Sequence, residues 1–398
     1  MWVLQEIVLA RHALFIWGAA SISWPTLCAA ISAIHANSYL HALLECRNLQ
    51  NAFLMKYLCE QQRKGESKSH PFLHLLDVAR SFDVSEPRDK VYGLLGFSTI
   101  NAAKESGVFV MPDYGVSIVE VYMQVARTLV EREEALNVLS FVVHGKADED
   151  EEGGNEGKRN GLPSWVPDWN CKDVVFPFMG YRPANRHHAG TARPMRLLPT
   201  EDPKCLSLKG VAVDVVSEAR DRILFTQLHR SPTILKELVQ WCLRANVDAL
   251  TLAKTLTGGR DVSGTLIQDD EQHLADFIAL LQNFEIDLHA VWPSEASLLS
   301  ALGARKGNPD RATEAVWRYT CYRAPVLTGG GRLGLGPGAA RAGDVVAVLW
   351  GGQIPFVLRE MEAGWKFVGD ACVGGLMRGE VMELVESGEI EERVFEMR

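Results

Sequence analysis

The sequence predicts a mixed α+β chain, mainly helical in its N-terminal part, with helices and a small antiparallel β-rich module in its C-terminal part. Three observations carry this. In PDYGVSIVEVYMQVARTLVER, residues Ile118, Val121, Tyr122, Val125 and Leu129 recur at helical spacing behind a Ser117/Glu120 capping box. CLSLKGVAVDVVSEA, ending at Ala219, alternates as strands do. Near the end, VVAVLWGG, QIPFVLREM and WKFVGDACV are short apolar runs divided by Gly-rich turns, the pattern of a strongly bent sheet or barrel.

Taken in order, residues 2–11 read as a helix that is apolar nearly all round and therefore buried, followed by a short strand at 13–17. Ala13 to Ile34 carries no charged residue, which is long enough for a membrane span. It also holds Gly18 and Pro25, so a strand, a turn at WGAASIS and a helix opening at Ser23 or Trp24 describe it better. Residues 38–62 continue as an amphipathic helix with Leu40, Leu43, Leu44, Phe53, Leu54 and Leu58 among its apolar positions, and QQRKGESKS is a loop. His70-Pro71 opens the helix PFLHLLDVARSF. In SEPRDKVYGLLGF, Pro87 suits a first helical turn, Val91, Leu94 and Leu95 form one face, and Gly96 supplies the stop.

ADEDEEGGNEGKRNG, residues 147–161, is acidic and Gly-rich and reads as a disordered linker. The expected organisation is therefore residues 1–146, the linker 147–161, a mixed extended and helical region 162–324, and the β-rich module 325–398. GLPSWVPDWN is rigid and extended because its two prolines fix φ. Helices are expected at 232–245, 247–256 and 270–284.

Bulk properties narrow the function. The chain has 398 residues and a net charge of −9, which argues against a general nucleic-acid or anionic-membrane surface. Its eight cysteines form no CxxC pair and sit among apolar residues, as reduced core thiols of an intracellular protein do. The apolar segment at the start is a poor signal peptide.

Four stretches then act together: WVLQEIVLA, EPRDKVYGLLG at 86–96, LPSWVPDW at 162–169, and GLGPGAARAGDVVAVLWGGQIPFVLRE at 334–360 followed by FVGDACVGGLMRGE. In this order they resemble the fungal heterokaryon-incompatibility (HET) domain proteins. The resemblance implies a role in fungal non-self recognition and programmed cell death. It also implies that WVLQE closes a conserved HET module, whose earlier strands and helices are not seen here; the chain reads as truncated, with the remnant of an α/β, TIR-like module. TIR proteins that cleave NAD carry a catalytic glutamate in W-x-x-x-E, and Trp2-Val3-Leu4-Gln5-Glu6 has that spacing.

Glu6 is accordingly the candidate catalytic residue. Glycosidic cleavage needs a carboxylate beside a developing oxocarbenium ion. The alternative is an ion pair with Arg11, Arg88 or another arginine, or simple exposure at a frayed terminus, and it is the favoured reading because a nucleotide pocket would need the unseen strands. Asp89 and Tyr92 could form an acid/base pair, against a structural helix with a charged first turn. His70 and His74 have metal-ligand spacing with Asp77 one turn on, yet lack the HExxH glutamate. His187-His188 sits in a loop. GGGRLGLGPG, residues 329–338, leads into a strand and so reads as turn chemistry, not a phosphate loop.

The reading is therefore a HET-type signalling protein with protein partners, a cytoplasmic location, and no cofactor, metal or nucleic acid. The alternatives are a TIR-like NAD glycohydrolase using Glu6 and a non-functional fragment, which would expose the apolar face of the first helix.

Overall fold

The computed structural model describes residues 2–36, 47–63, 71–97, 110–133, 135–144, 161–171, 175–223, 233–244, 247–303 and 305–398. The chain divides into two compact units, Met1–Thr128 with Trp169–Lys172, and Leu129–Asp168 with Asp173–Arg398.

The first unit opens with helix α1 (Trp2–Val8). Leu4, Ile7 and Val8 are buried, whereas Val3 and Glu6 are exposed. The helix thus has one inward stripe at i, i+3, i+4 instead of burial all round, because three such positions are enough to dock a helix this short. Strands β1 (Leu14–Trp17) and β2 (Ala20–Ser23) pair antiparallel, Trp17 opposite Ala20. The two-residue turn between them needs a left-handed position, and Gly18 supplies it at φ +59°. Trp24 stacks on Phe15 at 5.6 Å and begins α2 (Trp24–Ala36), whose Thr26 N–H donates to Ser23 Oγ at 3.3 Å. The uncharged stretch is therefore a hairpin and a helix, and among the described residues no helix is long and apolar enough to cross a membrane.

Helix α3 (Arg47–Arg63) packs on α1 through the Cys59 thiol, which donates to the Ile7 carbonyl at 3.7 Å. Leu40, Leu43, Leu44 and His70 lie outside the described residues. Helix α4 (Phe72–Val78) buries Phe72, Leu73, Leu75 and Leu76 and tightens into a 3₁₀ turn at Ala79–Ser81. Helix α5 (Asp89–Tyr92) is a single turn, shorter than the sequence led us to expect. It stops at Gly93, and the N–H groups of Leu94, Leu95 and Phe97 then make successive three-residue turns. Helix α6 (Ile118–Glu133) has the expected capping box: Ser117 N–H donates to Glu120 Oε2 at 2.8 Å and Glu120 N–H to Ser117 Oγ at 3.2 Å. Val121, Tyr122 and Val125 are its buried stripe.

The second unit begins within that helix. Its strands are β3 (Leu197–Leu198), β4 (Leu206–Ala219), β5 (Arg323–Thr328), β6 (Leu333–Pro337), β7 (Val345–Leu349), β8 (Phe356–Met361), β9 (Gly364–Asp370), β10 (Cys372–Val373) and β11 (Glu392–Met397). Between β4 and β5 lie α7 (Thr233–Arg244), α8 (Ala249–Leu256), α9 (Asp270–Asn283), α10 (Leu288–Val291), α11 (Ala296–Gly303) and α12 (Pro309–Thr320); α13 (Val381–Glu386) precedes β11. Asp248, Asp269, Asp287 and Asn308 cap four of these helices through their side chains.

Strand β4 is the hinge of the sheet. Leu206 to Val211 pair with β11 along one edge, and Gly210 to Val215 pair with β7 along the other. With β7–β8, β8–β9 and β9–β11 also paired, the ring β4-β11-β9-β8-β7 closes on itself. Past a bulge, β4 leaves the ring and pairs with β5, which leads on to β6 and β10. The module is antiparallel save for β9 against β11, which meet in parallel with Met397 opposite Trp365. Val216, Val326, Val346, Val357, Val368, Val373 and Leu376 form one buried cluster of this sheet, and Val211, Val348, Trp350 and Val381 contribute to a second.

Candidate functional site

Glu6 sits on the exposed face of α1. Among the described residues it forms no ion pair: Arg88 instead grips Glu86, Nε to Oε1 at 2.7 Å and Nη2 to Oε2 at 3.0 Å. Its neighbour Gln5 packs against Gly96, so closely that a Cβ there would lie 2.8 Å from Gln5 Nε2. The WVLQE and EPRDKVYGLLG stretches therefore touch, and the glycine is what lets them.

The structure separates Asp89 from Tyr92 as a reacting pair. Tyr114 Oη donates to Asp89 Oδ1 at 2.6 Å. Tyr92 Oη donates to the Asp113 carbonyl at 2.9 Å and accepts from the Asp113 N–H at 3.1 Å. Arg88 Nη1 donates to the carbonyls of Tyr114 and Val116 at 2.5 and 2.8 Å. Tyr122 Oη donates to the Pro87 carbonyl at 2.9 Å. The charged turn is thus a rivet that holds 110–117 and α6 against 86–92. Its hydrogen bond to Asp89, with burial second, pushes the Tyr114 hydroxyl up to about 12. Sequence reasoning did not single out Tyr114; the Asp-Tyr-Gly just before the capping box was the available signal.

Lys90 is buried and donates from Nζ to the carbonyls of Arg80, at 2.7 Å, and Phe82. Arg80 is buried too, its guanidinium 4.8 Å from the Trp169 ring centroid. Near it, burial pushes the Asp77 carboxyl up to about 6, against the opposing pull of Arg80. His74 shares α4 with Asp77, and among the described residues no group of three or more His, Cys, Asp or Glu side chains is placed to hold a metal ion.

In the second unit the polar residues of the barrel stretches bind the fold itself. Asp344 pairs with Arg359. Gln353 closes a two-way bridge to Gly180, receiving its N–H at 2.9 Å and donating to its carbonyl at 3.2 Å. Asp370 pairs with Arg323 at 2.7 Å, both buried, and Arg323 lies 3.8 Å from the Phe178 ring centroid. In LPSWVPDW, Ser164 Oγ donates to the Arg398 carbonyl and accepts the Phe367 N–H at 2.8 Å, while Trp165 Nε1 donates to the Lys204 carbonyl. His187 is buried beside the Gly258 carbonyl, and burial followed by Arg260 pushes it down to about 3, so it stays neutral; His188 faces Thr191. The glycine run 329–338 supplies the β5–β6 turn at 329–332 and then strand β6 itself, with Gly331 at φ +77° and Asp214 accepting from the Gly330 N–H and from Arg332.

Two comparisons bear on this geometry. Residues 310–390 match the model of the Het-6 beta-barrel domain, which covers β5 to β10. The chain is also 24% identical, over 97% of its length, to heterokaryon incompatibility protein 6, OR allele, of Neurospora crassa.

The chain is similar to a heterokaryon-incompatibility protein.

It spans 64% of the length of that curated relative. No solved structure matches it. In this chain the barrel motifs and the PRDKVY turn direct their charges at backbone carbonyls, backbone N–H groups, the Tyr114 hydroxyl and one another.

Proposed function

We propose that this chain acts in fungal heterokaryon incompatibility, as a cytoplasmic non-self recognition protein whose engagement of protein partners leads to programmed cell death. The likeness to the Neurospora crassa incompatibility protein across 97% of the chain is the observation that carries this reading. The consumption of Asp89, Tyr92, Asp344, Arg359 and Asp370 in internal bonds supports signalling through surfaces instead of catalysis.

A second reading has one observation in its favour: Glu6 is exposed, forms no ion pair among the described residues, and is set at W-x-x-x-E spacing. It makes the chain an NAD glycohydrolase. Expression of the wild-type chain and Glu6→Ala in a compatible fungal host, with dye uptake and cellular NAD followed together, separates the two. Cell death that survives Glu6→Ala at unchanged NAD supports the first reading. NAD loss abolished by Glu6→Ala supports the second and overturns the first. Fused hyphae that stay alive with the chain fully expressed count against both.

A further inference from the structure

We draw no further inference here: the strongest candidate, the uncharged β1–β2 hairpin of the first unit, with Leu14, Ile16 and Trp17 62%, 71% and 90% exposed, carries none because nothing in the structure shows what covers it.

Discussion

Asp344 and Arg359 meet through two parallel bonds, Nε to Oδ1 at 2.7 Å and Nη2 to Oδ2 at 2.9 Å, with the aspartate buried and the arginine nearly so. They lie at the head of β7 and within β8, so the pair ties the two strands together beside their ladder. Arg359→Met leaves a buried carboxylate whose nearest remaining donor is the Arg341 N–H, and such a loss costs about 3–5 kcal/mol. Replacing both partners, Asp344→Leu with Arg359→Met, costs less than the sum of the single changes. A urea double-mutant cycle measures this; additive losses would rule out a direct coupling.

Gly210 sits where β4 is flanked on both sides. A Cβ there would overlap the Val348 carbonyl oxygen and stand 2.8 Å from Leu349 Cα, both main-chain atoms of β7 that cannot swing aside. Gly210→Ala therefore opens the β4–β7 seam and exposes the interior of the ring. The expected outcome is insoluble protein, or loss of near-ultraviolet circular dichroism with far-ultraviolet signal kept. A variant with wild-type thermal stability would contradict the closed ring.

Asp77 predicts a pH effect of a particular sign. Its carboxyl is raised from 3.8 to about 6 by burial, so folding opposes its ionisation. Stability is full below pH 4 and falls as pH rises to about 6. Asp77→Asn removes that penalty. The variant is more stable than wild type at pH 7, by at most about 3 kcal/mol, and the difference closes near pH 4. Urea midpoints at the two pH values decide it; a variant less stable at pH 7 would assign Asp77 a stabilising bond instead.

Glu392 behaves oppositely. It opens β11 and accepts from Lys209 Nζ at 2.9 Å, Arg193 Nη1 at 3.1 Å and Trp350 Nε1 at 2.6 Å. The Lys209 bond, then the Trp350 bond, hold its carboxyl below the usual 4.5. Its contribution is present above pH 4.5 and is lost as pH falls through the lowered value. Glu392→Gln lowers the melting temperature at pH 7, and its curve joins that of the wild type in acid. Parallel curves across the whole range would show that the charge has no part.

The legible features of the fold are the local ones. Helix α6 declares itself because its stripe and capping box lie within one stretch of sequence. Helix α12 is equally declared, by Asn308-Pro309-Asp310, a cap followed by proline in the first turn. The single turn of α5 is not legible in the sequence because Leu94, although buried like a helix face, belongs to a succession of turns after Gly93. The ring closure was hidden, since β4 alternates like any strand and nothing in its residues names β7 and β11 as partners. At the charged motif, sequence suggested an acid and a phenol close together, which is true. The structural reading, a charged first turn bonded to its neighbours, matches these contacts, but Asp89 finds Tyr114 and Tyr92 finds main chain, and neither contact has a sequence spacing that announces it.

Because β4 is made long before β5 to β11, it must wait through the helical block for its partners in the ring. As the ring needs β11 between β4 and β9, it cannot close on a ribosome until that last strand has emerged. Until then the Leu206 to Val211 edge of β4 that β11 covers stays unpaired. The helical block between β4 and β5 begins and ends at adjacent strands, Val216 beside Thr328, and can form while the ring is still open. Folding of this unit is thus a race between early helices and a late seal, and chaperone dependence should track the exposure of β4.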